Sequence, residues 1–328
     1  MSKKITPAQI EMPPHLAAHP KSLPVFRVDH PMFGQEDQTS HWEKRLAKLG
    51  KSFQIEGQAT DAGDRLLLQD KDKHRVLQIY KPSHSFLYYD RSLASPTDPK
   101  YADSMLDADT AKKRAHAWLE ANGLLDQYPV FEGYSYSGVS FSTSGNTPGN
   151  HKQTEGKEYL TEIKPCFGFK IGQMPVLGPG AKIMAAYVGD TMSQLAYFWR
   201  NPQPSPIGEQ KILPPQSVQK HFASDPRFAH LNSEDSKIRI NEIRLGYYAL
   251  PPYAVQEYYF PVYQLKGIVE TRGGNHVQGY DALVRNEGSI IQETLRHDFN
   301  YFLPAGNLTL EEFKRSGFPP PHKDSFIF

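Results

Sequence analysis

Tyrosine is the side chain with the most chemistry to offer here, and it is clustered. The chain holds 18 Tyr and 18 Phe. They gather at Tyr88-Tyr89, Tyr134 and Tyr136, Tyr197-Phe198-Trp199-Arg200, Tyr247-Tyr248, Tyr253, and Tyr258-Tyr259-Phe260. Neighbouring residues of a strand point to opposite faces, so each pair sends one ring into a core and one to the other side. A sheet face lined with phenols can stack on an apolar or aromatic ligand and hydrogen-bond to it. The expected ligand-binding residues are therefore Tyr134, Tyr136, Tyr197, Trp199, Arg200, Tyr247, Tyr248, Tyr258, Tyr259 and Arg285. Arg200, Glu257 and Arg285 would supply the polar groups that orient such a ligand. The plainer alternative is ordinary sheet packing, because Tyr and Phe favour strands.

Groups for proton transfer are fewer: the candidates are His116, Glu257 and His297. His116 lies two residues from Trp118 on a predicted helix, about 200° around it, so the two do not share a face. Glu293 and His297 stand one turn apart if "SIIQETLRHDFNYF" is helical, with Asp298 beside them. An exposed ion pair accounts for that spacing as well as a shared site does. No metal site and no organic cofactor are expected. Cys166, the single cysteine, follows Pro165 in a strand pattern with only Lys164 and Lys170 nearby, which reads as a passive thiol. There is no P-loop, dinucleotide-type glycine turn, G-x-S-x-G elbow or H-E-x-x-H. In "GPG" at Gly178–Gly180 the proline removes an N–H that a phosphate cradle would need.

Composition bounds the rest. At 328 residues the chain can bury a sizeable core, and 38% hydrophobic with 22% charged residues excludes a disordered or collagen-like polymer. Lys+Arg of 37 against Asp+Glu of 36 leaves +1, so no field draws it to nucleic acid or anionic membrane. "MSKKITPAQIEMPPHLAAHP" lacks the apolar stretch of a signal peptide, and no run approaches a membrane span. A cytoplasmic protein is expected; oligomeric state is not legible.

Elements must position these side chains. Residues 1–38 read as an extended Pro- and His-rich arm. Residues 39–93 read as a first α+β unit: a helix capped by Ser40 and Glu43, with Trp42, Leu46 and Leu49 on one face and Gly50 as its stop. Strands follow at Ser52–Thr60, Arg65–Asp70, Arg75–Tyr80 and Ser85–Asp90. Ala94–Ala108 is a linker. The second unit, 109–200, opens with a helix from Asp109 to Asn122 whose stripe is Ala111, Ala115, Trp118 and Leu119. A loop at Phe141–Glu158 precedes strands with Ile163, Phe167, Phe169 and Ile171, then Ile183, Ala185 and Tyr187, then Leu195, Tyr197 and Trp199, on one face. After the Asn201–Pro215 linker a third unit, 215–328, holds a short helix at Ser217–Phe222. Strands are expected near Ile238–Leu250, Gln256–Val269 and Gln278–Asn286, with a last helix at Thr309–Gly317.

"FKIGQMPVLGPGAKIMAAYVGD" behind a helix resembles the PepSY-type module, a helix followed by a twisted antiparallel hairpin. Gly172, Pro175 and Val176 stand at its G-x-P-V turn and Gly189-Asp190 at its second turn. "YYFPVYQLKGIVE", with Pro261, Val262 and Gly267, is similar to a degenerate second copy, and the 52–90 meander to a third. The resemblance covers about half the chain. It implies an α+β fold of two or three PepSY-like units, twisted antiparallel sheets each covered by a helix, and a binding, inhibitory or chaperone-like role.

The expected function is binding of an apolar or aromatic small molecule, or an extended peptide, on the Tyr-rich sheet. The alternative is a cofactor-independent cyclase, isomerase or dehydratase of secondary metabolism, which needs only a shaped pocket and one or two proton-transfer groups. A third reading is an interaction module that adds a partner strand at a sheet edge. A deep pocket with a His or carboxylate beside Tyr hydroxyls would favour the enzyme.

Overall fold

The computed structural model describes residues 10–13, 19–29, 38–93, 100–125, 129–141, 157–214, 217–224, 236–272 and 294–305. In chain order, β1 (Ile10–Glu11) and β2 (Ser22–Arg27) precede α1 (Gln38–Ser52). A meander follows: β3 (Ala59–Asp61), β4 (Arg65–Gln69), β5 (Arg75–Tyr80) and β6 (Phe86–Asp90). After α2 (Lys100–Asp103) and α3 (Ala108–Ala121) come β7 (Val130–Phe141), β8 (Lys157–Ile171), β9 (Met174–Leu177), β10 (Lys182–Val188) and β11 (Thr191–Phe198). The last described elements are β12 (Gly208–Lys211), α4 (Val218–Ser224), β13 (Ser236–Tyr248), β14 (Tyr258–Tyr259), β15 (Pro261–Arg272) and β16 (Thr294–Pro304).

The chain divides into two compact units, Val28–Gln203 with Ala249–Glu257, and Met1–Arg27 with Pro204–Tyr248 and Tyr258–Phe328. In the first, strands run in the order β3-β4-β5-β6-β11-β10-β8, and β7 and β9 both pair with the far edge of β8. Helix α1 lies on β4 and β5, and α3 on β8. In the second unit β16, β15 and β13 are antiparallel neighbours, β1 runs parallel to β13, and β2 is flanked by β12 and β14.

This architecture corrects the expected α+β arrangement of separate helix-covered units. The described residues are mostly strand, and the two longer helices have only 15 and 14 residues. The 52–90 meander and the hairpins after residue 157 are not independent units. They join edge to edge, Gln194 against Tyr89 through Tyr197 against Phe86, into one sheet. The physical reason is that β6 and β11, left as open edges, would each present a row of unpaired N–H and C=O groups.

The apolar faces themselves are where the pattern places them. Trp42, Leu46 and Leu49 of α1 are buried, as are Ala111, Ala115 and Leu119 of α3 and the alternating residues Ile163, Phe167, Phe169 and Ile171 of β8. Between helices and sheet runs a file of rings. Phe53 stacks on Tyr88 at 4.0 Å and on Trp118 at 4.6 Å, Phe86 on Tyr197 at 5.3 Å, and Phe169 on Trp199 at 4.0 Å.

Local expectations shift in several places. Helix α1 runs through Gly50 to Ser52, so Ser52–Thr60 is not a strand; the left-handed residue that ends the helix is Gln54, at φ 55°. Gly50 is there for space: a Cβ on it would stand 2.5 Å from Leu68 Cδ2. Helix α3 is capped by Asp107, not Asp109, with Oδ1 accepting from the Thr110 N–H at 2.9 Å. The arm contributes β1 and β2, and the 201–215 linker contributes β12. His297 lies on β16, a strand, so it and Glu293 are not a helical i,i+4 pair. Arg285, Glu293, Gln278–Asn286 and Thr309–Gly317 lie outside the described residues. Gly172 makes the turn before β9 at φ 60°, with Pro175 and Val176 in the outgoing strand. Among the described residues no helix is long and apolar enough to cross a membrane.

Candidate functional site

The expected site residues are distributed over both units. Tyr197, Trp199 and Arg200 come together at the end of β11 in the first unit. Tyr134 and Tyr136 form their own pair on β7, 6.4 Å between rings, with Tyr136 exposed. Tyr247, Tyr248, Tyr258 and Tyr259 belong to the second unit. There Tyr247 and Tyr259 are fully buried, and the Tyr247 hydroxyl donates to the Pro24 carbonyl at 2.7 Å. These phenols close their own cores, because a buried hydroxyl must find an acceptor and a backbone carbonyl supplies one. His116 is exposed on α3 and Glu257 is exposed at the end of the 249–257 segment, and neither lines the cleft around Tyr197. Among the described residues no group of three His, Cys, Asp or Glu could hold a metal. The chain does carry one H-x3-H pair, His15 and His19, which the expectation of no metal passed over; His15 lies outside the described residues.

What surrounds Tyr197 and Trp199 is a cleft of about 310 Å³ within the first unit. Helix α1 supplies His41 and Arg45, one turn apart and flanking its buried stripe. The β5–β6 turn supplies Ser83 and His84, the end of α3 supplies Gly123 and Leu124, and the chain leaving β11 supplies Trp199, Arg200 and Asn201. Val28 and Asp29 complete the rim, held by Asp29 N–H donating to the Asn201 carbonyl at 2.7 Å.

Each wall has a local cause. His84 sits at φ 58°, a left-handed conformation that side chains other than glycine adopt sparingly and that concentrates at turns and functional sites. Its ring packs 4.1 Å from Trp42 and 5.6 Å from His41, which gathers two imidazoles at one side. Ser85 Oγ, one residue on, accepts from the Trp199 N–H at 3.2 Å and ties the turn to the opposite wall. Trp199 Nε1 donates to Asn201 Oδ1 at 2.7 Å, which fixes the indole. The Tyr197 hydroxyl donates to the Leu124 carbonyl at 3.4 Å.

Two guanidinium groups border the cleft and differ in use. Arg200 is buried and donates to the carbonyls of Leu250, Pro251 and Ala254 at 2.7, 2.7 and 2.6 Å. It fastens the 249–257 segment. Arg45 has its Nε enclosed with no hydrogen-bond partner among the described residues. Burial lowers its proton affinity, and the Tyr197 phenol facing it raises it in part.

Sequence reading found Tyr197, Trp199 and Arg200 and missed His41, Arg45 and His84. The signal available for the first two was their i,i+4 spacing on the border of an apolar stripe. For His84 there was none, since its place depends on β5 and β6 pairing.

No family model matches the chain, and no curated protein does. Among solved structures it is similar to one described as an uncharacterized protein from Eubacterium rectale, at 13% identity and a TM-score of 0.50, over 91% of this chain and 88% of that one. At that identity the likeness speaks for the fold alone.

Proposed function

We propose that the protein binds a small organic molecule with an apolar or aromatic body in the cleft beside Tyr197 and Trp199. The observation that carries this is the cleft's composition. Two aromatic rings, two imidazoles and a guanidinium border a space of about 310 Å³, the lower end of the range for ligand sites. That size suits a molecule of one or two rings better than an extended peptide. The walls are tied together by side chain–backbone bonds, so the space is preformed.

A ligand-observed NMR fragment screen tests this, run on the wild type, on Leu124→Trp and on Tyr253→Ser. Leu124 borders the cleft, and a larger ring there fills it; Tyr253 is exposed and does not line the cleft. The expected result is aromatic hits on the wild type and on Tyr253→Ser that disappear in Leu124→Trp. Hits insensitive to Leu124→Trp would place binding elsewhere and end the proposal.

A second reading, proton-transfer catalysis without a cofactor, is favoured by one observation: His41 and His84 stand 5.6 Å apart, and His84 is held in a left-handed conformation. That spacing puts two imidazoles side by side on one wall, where both can reach one bound molecule. Turnover, rather than stoichiometric binding, of a cleft ligand that is lost in both His41→Ala and His84→Ala would select it.

A further inference from the structure

We infer that Arg45 makes this cleft an oxyanion site, and that the molecule it takes carries a carboxylate. The inference rests on the cleft being the binding site and names the chemistry of what enters it. It begins with how arginine is ordinarily satisfied in folded proteins. An enclosed guanidinium has five N–H donors, and leaving any of them unmet in a low-dielectric space is costly. Buried arginines are therefore matched by a carboxylate, by carbonyls, by water or by a ligand.

Arg200, which borders the same cleft, shows the structural solution for its two Nη groups: three backbone carbonyls meet them. Arg45, half-buried as a whole, has no such carbonyl partner among the described residues. No carboxylate pairs with it among the described residues, and its Nε is enclosed without an acceptor. Its own helix supplies none either. The residues one turn away are His41 and Trp42 on one side and Lys48 and Leu49 on the other, none of them acidic. The group opposite is the Tyr197 phenol, whose hydroxyl already donates to Leu124.

The surroundings narrow the class of anion. A planar guanidinium fork matches a carboxylate with two parallel hydrogen bonds. Asp29 borders the same cleft, and its charge opposes a second negative charge on the ligand, which disfavours a phosphate dianion. Trp199 and Tyr197 on the remaining wall receive an apolar body attached to the carboxylate. His41 and His84 add donors beside it.

The test is calorimetric titration of the full chain with three probes of one shape: 2-naphthoate, its uncharged analogue 2-naphthamide, and 2-naphthyl phosphate. Each is measured on the wild type, Arg45→Met and Arg45→Lys. The wild type is expected to bind the naphthoate about tenfold more tightly than the amide, as a charge-assisted pair requires. Arg45→Met is expected to erase that preference while leaving the amide's affinity in place, which also shows that the variant is folded. Arg45→Lys, which keeps the charge and loses the fork, should retain part of the preference and covers the case in which Arg45→Met does not fold. Equal wild-type affinity for naphthoate and naphthamide, or a preference that survives Arg45→Met, overturns the oxyanion assignment and leaves the cleft reading standing. Tighter binding of the naphthyl phosphate overturns the carboxylate. Failure of all three probes to bind the wild type sinks the cleft reading and this inference with it.

Discussion

Arg200 Nη1 donates to the Leu250 carbonyl at 2.7 Å across 50 residues of sequence, and the backbone around it is built to allow the approach. Gly180 lies against the same carbonyl: a Cβ there would be 1.8 Å from Leu250 O. The Gly180 N–H donates to the Ala249 carbonyl at 3.2 Å. With Nη2 on Pro251 and Ala254, one side chain holds a segment that exposes Tyr253 and Val255. Arg200→Ala is expected to cost about 3 kcal/mol, because several charge-assisted bonds are lost and buried carbonyls are left unmet. Urea denaturation measures the loss. Hydrogen exchange should show protection falling first across residues 249–257. Undiminished protection there would mean that Gln256, whose Oε1 accepts from Leu250 N–H at 2.8 Å, suffices alone.

Gly50→Ala sets helix propensity against packing. On an exposed helix face the change would stabilise by about 1 kcal/mol. Here the new methyl meets Leu68 Cδ2 at 2.5 Å, and Leu68 is itself buried under α1. Overpacking of this kind costs about 1–3 kcal/mol, so the net sign is destabilising. Leu68→Ala opens a space at that point, so Gly50→Ala should cost less in the Leu68→Ala background than in the wild type. Thermal melts of the four-protein cycle decide it; simple additivity would contradict the contact.

Legibility followed locality. The stripes Trp42/Leu46/Leu49 and Ala111/Ala115/Leu119, the alternation of β8, β10 and β11, and the turns at Gly172 and Gly189 all rest on spacing within a few residues, and sequence periodicity carries that. The joining of β6 to β11 does not, because Tyr89 and Gln194 meet across 105 residues and nothing in either strand names the other. That one pairing turns expected separate units into a single sheet. The cleft fared alike. Tyr197, Trp199 and Arg200 were visible as a cluster, whereas Arg45 and His84 acquire meaning only after α1 docks on β4 and β5 and the β5–β6 turn closes. Several of the phenols singled out by composition proved to be buried, as Tyr247 and Tyr259 are.

That burial sets an alkaline limit on stability. Tyr88, Tyr187, Tyr247 and Tyr263 are each pushed up to about 12 by desolvation from an ordinary value of 10.0; at Tyr88 the nearby Asp90 carboxylate adds to it. The folded protein therefore keeps phenolic protons that the unfolded chain releases from about pH 10. Their contribution is whole below that value and is lost as pH rises toward 12. Guanidinium denaturation midpoints should hold from neutral pH to about 10 and then fall steeply. Tyr263→Phe, which removes the hydroxyl donating to the Leu213 carbonyl at 2.6 Å, should be less stable at neutral pH but show a shallower alkaline fall. An equally steep fall in Tyr263→Phe would remove that residue from the account.

Cys166 should behave as an unreactive thiol in the folded protein. Burial pushes its proton affinity up, and the Glu132 carboxylate adds to this, outweighing the opposing charges of Lys182 and Lys164. Its Sγ also donates to the Lys164 carbonyl at 3.4 Å, which holds the proton in place. Since the thiolate is the nucleophile, the thiolate fraction sets the rate. With an aromatic disulfide reagent at neutral pH, the native protein is expected to react at least about tenfold more slowly than free cysteine. The difference should vanish in denaturant, where both burial and Glu132 are removed. Glu132→Gln should speed the native reaction modestly without exposing the thiol. A native rate equal to that of free cysteine would show that neither β7 nor the sheet shields Cys166, and the pairing of Gly133 with Cys166 in β7 and β8 would then have to be open in solution.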